Sequence, residues 1–409
     1  MRSLAFTSNG PGEFSGWVRP LIAALYEREP DLDVTAFFIP DDYASGGEPD
    51  AMRALFPAAR VVTPKEYLKF AVGGSLPQAP AHVDAVVYLG GDLLHAAAVH
   101  RRLGGRPFSY KFAGKRYGGG ATIALAVDAA NRAQLRAQHI ADERIHVVGN
   151  LAIDGALAEA RGAFGAASGD MDVARDGILI MPGSRKHEIA QLIPFFTAVA
   201  DHLRRRAPGM PIAFGLSPFN RDAEIAAALA AGGDPRVYGA RGTLRDVDGR
   251  LCIVSERSGG FYPVVRLGMR AATQARLVIT IPGTKCIELA ALGVPIVACT
   301  PLNVPEKIAI NGPLTYLDRL PMIGVPLKRA VVRGFARRFP LLTQPNIDAG
   351  EAIISELRGT LTPGRVAAAA AERFEDRAWL AQTSARLRGL YSAHAGAARR
   401  AADAILEHA

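Results

Sequence analysis

Short apolar runs alternate with longer stretches of helical periodicity along most of the chain. The pattern predicts strands over 4–7, 34–39, 85–89, 122–127 and 145–148. A glycine loop follows the first strand and a helix spans 16–28. Residues 154–176 are rich in Ala and Gly, carry no strand signal, and read as a connector. The pattern then restarts, with strands over 178–181, 212–215, 251–254, 277–280 and 295–298 and a helix over 187–206. Continuous apolar strands separated by helices argue for parallel sheets covered on both faces. The expected fold class is α/β: two doubly wound Rossmann-like domains, residues 1–165 and 166–360, with C-terminal helices over 361–409 packing back on the body. Thr362 as N-cap with Pro363 at the first position marks where those helices begin. Tandem domains of this kind place a ligand in the crevice between them, at the carboxyl ends of the strands.

Composition narrows the partners. The 409 residues carry a net charge of +9, which draws anionic partners: nucleic acid, an anionic membrane surface or phosphorylated small molecules. No nucleic-acid-binding module is present, and that class is set aside. Cys252, Cys286 and Cys299 are too few and too scattered for a disulfide framework, which fits a reducing compartment. No apolar run reaches the roughly 18 residues of a membrane helix, and no signal peptide is read at the start. The expected localisation is cytoplasmic. His95 and His100 stand five apart, off the three-or-four spacing of helical neighbours, and neither a metal nor a cofactor is expected.

Five segments carry candidate chemistry. The first, Gly10 to Gly16, links a strand to a helix. Its GxGxxxG spacing admits a dinucleotide reading with Asp41 or Asp42 on a ribose, but Glu13 would repel a pyrophosphate and Pro11 removes a donor. Glu13 suits a hydroxylated or cationic group, or a helix N-terminus. In the second, Gly90-Gly91-Asp92, Asp92 ends a strand and is either a general base or a helix cap. The third, Gly183-Ser184-Arg185-Lys186, offers turn amides and cations to a phosphate. The fourth, Gly283-Thr284-Lys285, offers a second cradle. Glu288 lies one turn beyond Thr284, to accept ribose hydroxyls or to face solvent. In the fifth, Asn346 after Pro345 either presents its amide to a ligand or caps a helix over 348–357.

Taken in order, these segments resemble the lipid-A-disaccharide synthase family, a two-domain glycosyltransferase of the GT-B fold. Gly12-Glu13-Phe14-Ser15-Gly16 resembles its GEASG, Gly90-Gly91-Asp92 its GID, and Val148 to Asp154 its VGHPLAD. Met181-Pro182-Gly183-Ser184-Arg185 with Glu188 resembles LPGSR..E. Gly283-Thr284 with Glu288 resembles SGT...E, and Pro345-Asn346-Ile347 resembles PNI.

The resemblance implies transfer of an acylated glucosamine from UDP to an amphiphilic or lipid-linked sugar acceptor, with inversion. Asp92 would be the base with Glu13 beside it. Gly12, Ser15, Gly183, Ser184, Arg185, Gly283, Thr284, Lys285, Glu288 and Asn346 would hold substrate. A UDP-sugar epimerase of the same fold, or an inactive UDP-sugar-binding relative, is the alternative. The sequence departs from the family at Trp17, at Leu93-Leu94-His95, at Asn150 and over 106–117. That last segment interleaves basic and aromatic residues, and is read as holding an amphiphilic acceptor at the inner face of the cytoplasmic membrane.

Overall fold

Seven strands build the first sheet: β1 (Ser3–Ser8), β2 (Asp33–Phe38), β3 (Arg60–Val62), β4 (Ala85–Tyr88), β5 (Arg106–Tyr110), β6 (Ile123–Ala126) and β7 (Ile145–Val147). They lie in the order β3-β2-β1-β4-β5-β6-β7, every neighbouring pair parallel. The direction of winding reverses between β1 and β4. β3 and β5 escape the hydropathy reading because one is three residues long and the other begins Arg-Pro. Residues 107–110 of β5 are nonetheless buried. Phe108 and Tyr110 are therefore core side chains, which corrects the reading of that part of 106–117 as an acceptor platform.

Eight strands form the second sheet: β8 (Ile178–Met181), β9 (Ile212–Leu216), β10 (Gly242–Val247), β11 (Arg250–Ser255), β12 (Phe261–Arg266), β13 (Leu277–Thr280), β14 (Ile296–Pro301) and β15 (Ser355–Gly359). Their order is β10-β11-β12-β9-β8-β13-β14-β15, with an antiparallel β10–β11–β12 meander on an otherwise parallel sheet. Here the winding reverses between β8 and β13. Ile180, Phe196, Val199, Phe214 and Ile279 are fully buried in its core.

The computed structural model describes residues 1–40, 44–111, 119–164, 171–266, 268–307 and 324–409. Asp41, Asp42 and residues 112–117 of the expected acceptor segment lie outside these. The chain divides into one unit of Met1–Ala158 with Tyr391–Ala409 and a second of Glu159–Leu390. The expected boundaries at 165/166 and 360/361 are thus shifted, and the terminal helices are shared out. The helix Pro363–Glu375, capped by the Thr362 side chain, packs on Lys186–Arg206 in the second unit. The helix Ala397–His408 packs on Arg19–Arg28 in the first.

Three local expectations are corrected. Helical backbone begins at Pro11 rather than Gly16, and passes through a π-helical segment, Phe14–Val18, before Arg19–Arg28. A Cβ on Gly155 would come 2.9 Å from the Ser15 carbonyl oxygen, so close packing by the helix Leu151–Ala160 constrains that segment. This same helix opens what read as a connector. The helix expected over 348–357 is instead Gln344–Ala349. It is closed by Gly350 in the left-handed conformation (φ 70°), and the chain continues into β15.

Candidate functional site

A ligand in a doubly wound sheet lies where the strand order reverses, beyond the carboxyl ends of the strands. In the first unit that point lies between β1 and β4, and the segments with Glu13 and Asp92 follow those two strands. They meet: a Cβ on Gly90 would fall 2.3 Å from Glu13 Oε2, and one on Gly91 would fall 1.9 Å from Ile39 at the end of β2. Only glycine at 90 and 91 lets the loop close on the carboxylate. Gly10 N–H donates weakly to Glu13 Oε2 (3.4 Å), so Glu13 also caps the helical start.

Asp92 is exposed and caps the helix Leu93–Leu103, its Oδ1 accepting the Leu94 N–H at 2.9 Å. One carboxylate oxygen is thereby committed to the cap. Between the two acids, the Tyr88 hydroxyl donates to the Gly91 carbonyl (2.8 Å). Burial, then the charges of Glu13 and Asp92, push its pKa up, so Tyr88 stays a neutral donor. Gly12 is half-buried and Ser15 is buried in the π-helical segment.

In the second unit the reversal between β8 and β13 brings together the Gly183 and Gly283 turns. Thr280 Oγ1 donates to the Met181 carbonyl (2.9 Å), and a Cβ on Gly183 (φ 106°) would lie 3.0 Å from Ile281. The two turns differ in what they leave open. At the first, Glu188 folds back over its own helix start and accepts the Ser184 and Arg185 N–H groups, both at 3.1 Å, with Arg185 Nη1 at 3.3 Å. This corrects the expectation that those amides are offered to a phosphate: a carboxylate already sits on them, and the half-exposed Arg185 guanidinium is what the turn presents. Asn220 Nδ2 fixes the turn from below by donating to the Ser184 carbonyl (2.7 Å).

At the second turn, no side-chain cap of the helix Thr284–Ala291 is seen among the described residues, and among them no atom lies within 4 Å of where a Cβ on Gly283 would sit. This turn keeps the anion-binding character of an uncapped helix start. Lys285 adds charge there, with Nζ 2.8 Å from Glu288 Oε2. Glu288 is 3% exposed, not solvent-facing. Cys286 is a buried core residue whose thiol is pushed up to about 12 by burial.

Asn346 is neither ligand-facing nor a helix cap. It is fully buried. Its Nδ2 donates to the Ile354 carbonyl (3.1 Å) and Glu356 Oε1 (2.8 Å), and its Oδ1 accepts the Ile353 and Ile354 N–H groups (2.8 and 2.9 Å). Its amide is saturated by β15 and the approach to it, and it is withdrawn from the substrate set.

The Val148–Asp154 segment is also structural. Asn150 Oδ1 accepts the Ala152 N–H, and Asp154 accepts the N–H groups of Gly396 (2.8 Å) and Ala398 (2.6 Å) at the start of the last helix. Sequence reasoning missed Asn220, the Glu188 cap and a Tyr67–His95 hydrogen bond. Of these, only Glu188 left a signal, a glutamate three residues into a helix.

No family model matches the chain. Two curated lipid-A-disaccharide synthases do. That of Geobacter metallireducens is 30% identical over 252 residues, 61% of this chain and 52% of the relative. That of Geobacter sulfurreducens is 29% identical over 222 residues, 54% and 45%. The match spans about half the length of these relatives. Among solved structures, S. aureus MnaA with UDP aligns over 100% of this chain and 96% of its own, with a TM-score of 0.58 and 14% identity. The Methanocaldococcus jannaschii UDP-GlcNAc 2-epimerase with UDP-GlcNAc and UDP aligns over 100% of both chains, with a TM-score of 0.56 and 12% identity. At such identities these neighbours speak for the fold alone. The fold is thus a two-domain Rossmann-like GT-B fold, and over about half their length the chain is similar in sequence to the lipid-A-disaccharide synthases.

Proposed function

We propose that the protein is an inverting glycosyltransferase that moves an acylated glucosamine-type sugar from UDP to an amphiphilic or lipid-linked sugar acceptor. The observation that carries this is topological: each unit sets its motif pair at its own strand-order reversal, acids in the first and cations with uncapped amides in the second. The diphosphate would sit on the Gly283-Thr284-Lys285 turn with Arg185 reaching it. Glu288 would take the ribose hydroxyls by exchanging its contact with Lys285. Asp92 would accept the proton of the acceptor hydroxyl through the oxygen not used for capping. The amides and cations would stabilise the departing UDP.

Peripheral membrane contact is part of this proposal. On the helix Pro64–Ala71 and its cap, Lys65, Leu68, Lys69 and Val72 share one face, with Leu68 54% and Val72 86% exposed. Leu94, in the first turn of the helix that Asp92 caps, is 76% exposed. Apolar side chains amid lysines suit an anionic bilayer surface, where an amphiphilic acceptor would be met. Among the described residues, no helix is long and apolar enough to cross a membrane.

The test is calorimetry with UDP, UDP-GlcNAc and NAD side by side, then transfer assays with an acylated glucosamine phosphate as acceptor. Binding of UDP and transfer support the reading. Preferential binding of NAD would sink it. Interconversion of a UDP-sugar in the absence of any acceptor would move the protein to the epimerase class.

A further inference from the structure

In the π-helical segment Phe14–Val18, the residues Phe14, Ser15, Gly16 and Val18 are buried, whereas Trp17 keeps part of its surface open. Its indole meets the ring of Tyr110, the last residue of β5, edge-on with centroids 5.5 Å apart. Tyr110 is 1% exposed and is fixed through its hydroxyl, which accepts the Leu151 N–H at 2.9 Å and donates to the Gly149 carbonyl at 3.4 Å. In the sheet, β4 lies between β1 and β5. A side chain that leaves the segment after β1 and touches β5 therefore spans the width of β4. It does so at the carboxyl end. Ser109 is paired with Tyr88, so Tyr110 stands level with Leu89, directly before the Gly90-Gly91-Asp92 loop. Trp17 also follows Glu13 by four residues, the spacing of neighbours on a helix face. Lys111 Nζ stands over the indole, 5.8 Å from its centroid, and brings a positive charge to that ring.

Glu13 and Asp92 can take hydroxyl groups, but neither offers a surface to the apolar part of a sugar. A rigidly backed, partly open tryptophan does. We infer that Trp17 is an acceptor-binding residue, whose indole packs on the apolar surface of the acceptor sugar beside the hydroxyl that Asp92 deprotonates. Tyr110 supports the indole from behind without meeting the acceptor, and Lys111 supplies the charge for an anionic substituent. This rests on the proposed transfer reaction and adds to it the residue that seats the acceptor. Trp17 is a position at which the sequence departs from the family, so the contact is not one that the resemblance implied. The apolar surface is either the C–H face of the sugar ring or the carbons of its acyl chain, and the two are separable by experiment.

The contact is read first without any activity. The chain has two tryptophans, and the other, Trp379, lies in the second unit against the Arg373 guanidinium. Trp379→Phe therefore leaves Trp17 as the single indole fluorophore. Titration of that variant with an acylated glucosamine phosphate should change its emission saturably. Trp17→Phe leaves Trp379 alone and should not respond. An unchanged emission in the first variant, or an equal response in the second, overturns the inference. The titration is repeated with glucosamine phosphate lacking the acyl chain: a response to both ligands assigns the sugar ring, and a response to the acylated one alone assigns the chain. The second readout is kinetic. Trp17→Ala should raise the acceptor KM roughly tenfold, equivalent to about 55 Å² of apolar surface left uncovered, with the KM of the UDP-sugar unchanged. Trp17→Phe, which keeps a flat ring against Tyr110, should restore most of it and covers the case in which the alanine variant folds poorly. A parental acceptor KM in Trp17→Ala overturns the inference and leaves the transfer reaction standing. No transfer by the parent overturns the function, while the titration still decides whether Trp17 binds the acylated sugar.

Discussion

Replacing Asn346 with alanine separates a ligand-binding residue from a structural one. The substitution removes an amide that makes four hydrogen bonds in the interior of the second unit. Glu356 keeps its bonds from the Leu342 and Thr343 amides and the Thr343 hydroxyl. The Ile353 N–H keeps the Glu351 carbonyl as acceptor (3.1 Å), but the N–H of Ile354, which is 1% exposed, loses the Asn346 Oδ1 and alanine offers none. A buried donor left unpaired costs about 1–3 kcal/mol. A single domain holds about 5–15 kcal/mol of net stability, so this is a large fraction. At about 2–4 °C per kcal/mol for a unit of this size, the melting temperature should fall by roughly 2–12 °C. Urea titration read by tryptophan fluorescence and far-UV CD gives the loss directly. UDP affinity, measured well below the transition, should match that of the parent. An alanine variant with an unchanged urea midpoint but weakened UDP binding would refute the structural assignment and return Asn346 to the substrate site.

Asp92→Asn should leave the melting temperature and UDP affinity unchanged, because Asn caps a helix about as well as Asp. Turnover should fall about 10²–10⁴-fold if the carboxylate is the base, and full turnover would leave Asp92 a cap alone. Arg185→Ala should weaken UDP binding by about 1.5–3 kcal/mol, the scale of a charge-assisted contact, and calorimetry showing parental affinity would remove it from the donor site. Glu306, which bonds Arg329 and Arg236, has its pKa lowered to about 2, Arg329 first and then Arg236 favouring the carboxylate. A depressed pKa contributes stability that is fully present above the unfolded value and lost as the pH falls through the folded one. Glu306→Gln should therefore destabilise at neutral pH. The gap to the parent should close between about pH 4.5 and 2, and urea midpoints across that range check it.

Pattern alone located best the strands with four apolar residues in a row in mid-sheet. β8 and β13 fall on the expected residues, because a central parallel strand is buried on both faces and shows it in composition. The strands it missed lack that signature. β15, Ser-Glu-Leu-Arg-Gly, has one large apolar residue and exists because β14 offers it a backbone partner. β10 is an outer antiparallel strand with alternating exposure. The reversal points were legible through their glycine turns, since closed βα loops need residues such as Gly90 and Gly183. What each turn leaves open was not legible, because it depends on side chains returning from later residues. Glu188 covers one pair of amides, while no described side chain caps the Gly283 turn. Asn346 shows the same limit, since its partners are backbone groups whose positions only the folded chain fixes.

The sharing of the terminal helices has a consequence for how the chain is made. The helix Ala397–His408 belongs to the unit that begins at Met1, tied there by Asp154 and by Arg400 to the Val148 carbonyl. During synthesis, the second unit has all its residues once Leu390 has left the ribosome. The first unit, although translated first, lacks the helix that packs on Arg19–Arg28 until residues 397–408 have been made. The face of Arg19–Arg28 that this helix covers is therefore completed only after every residue of the second unit has been made.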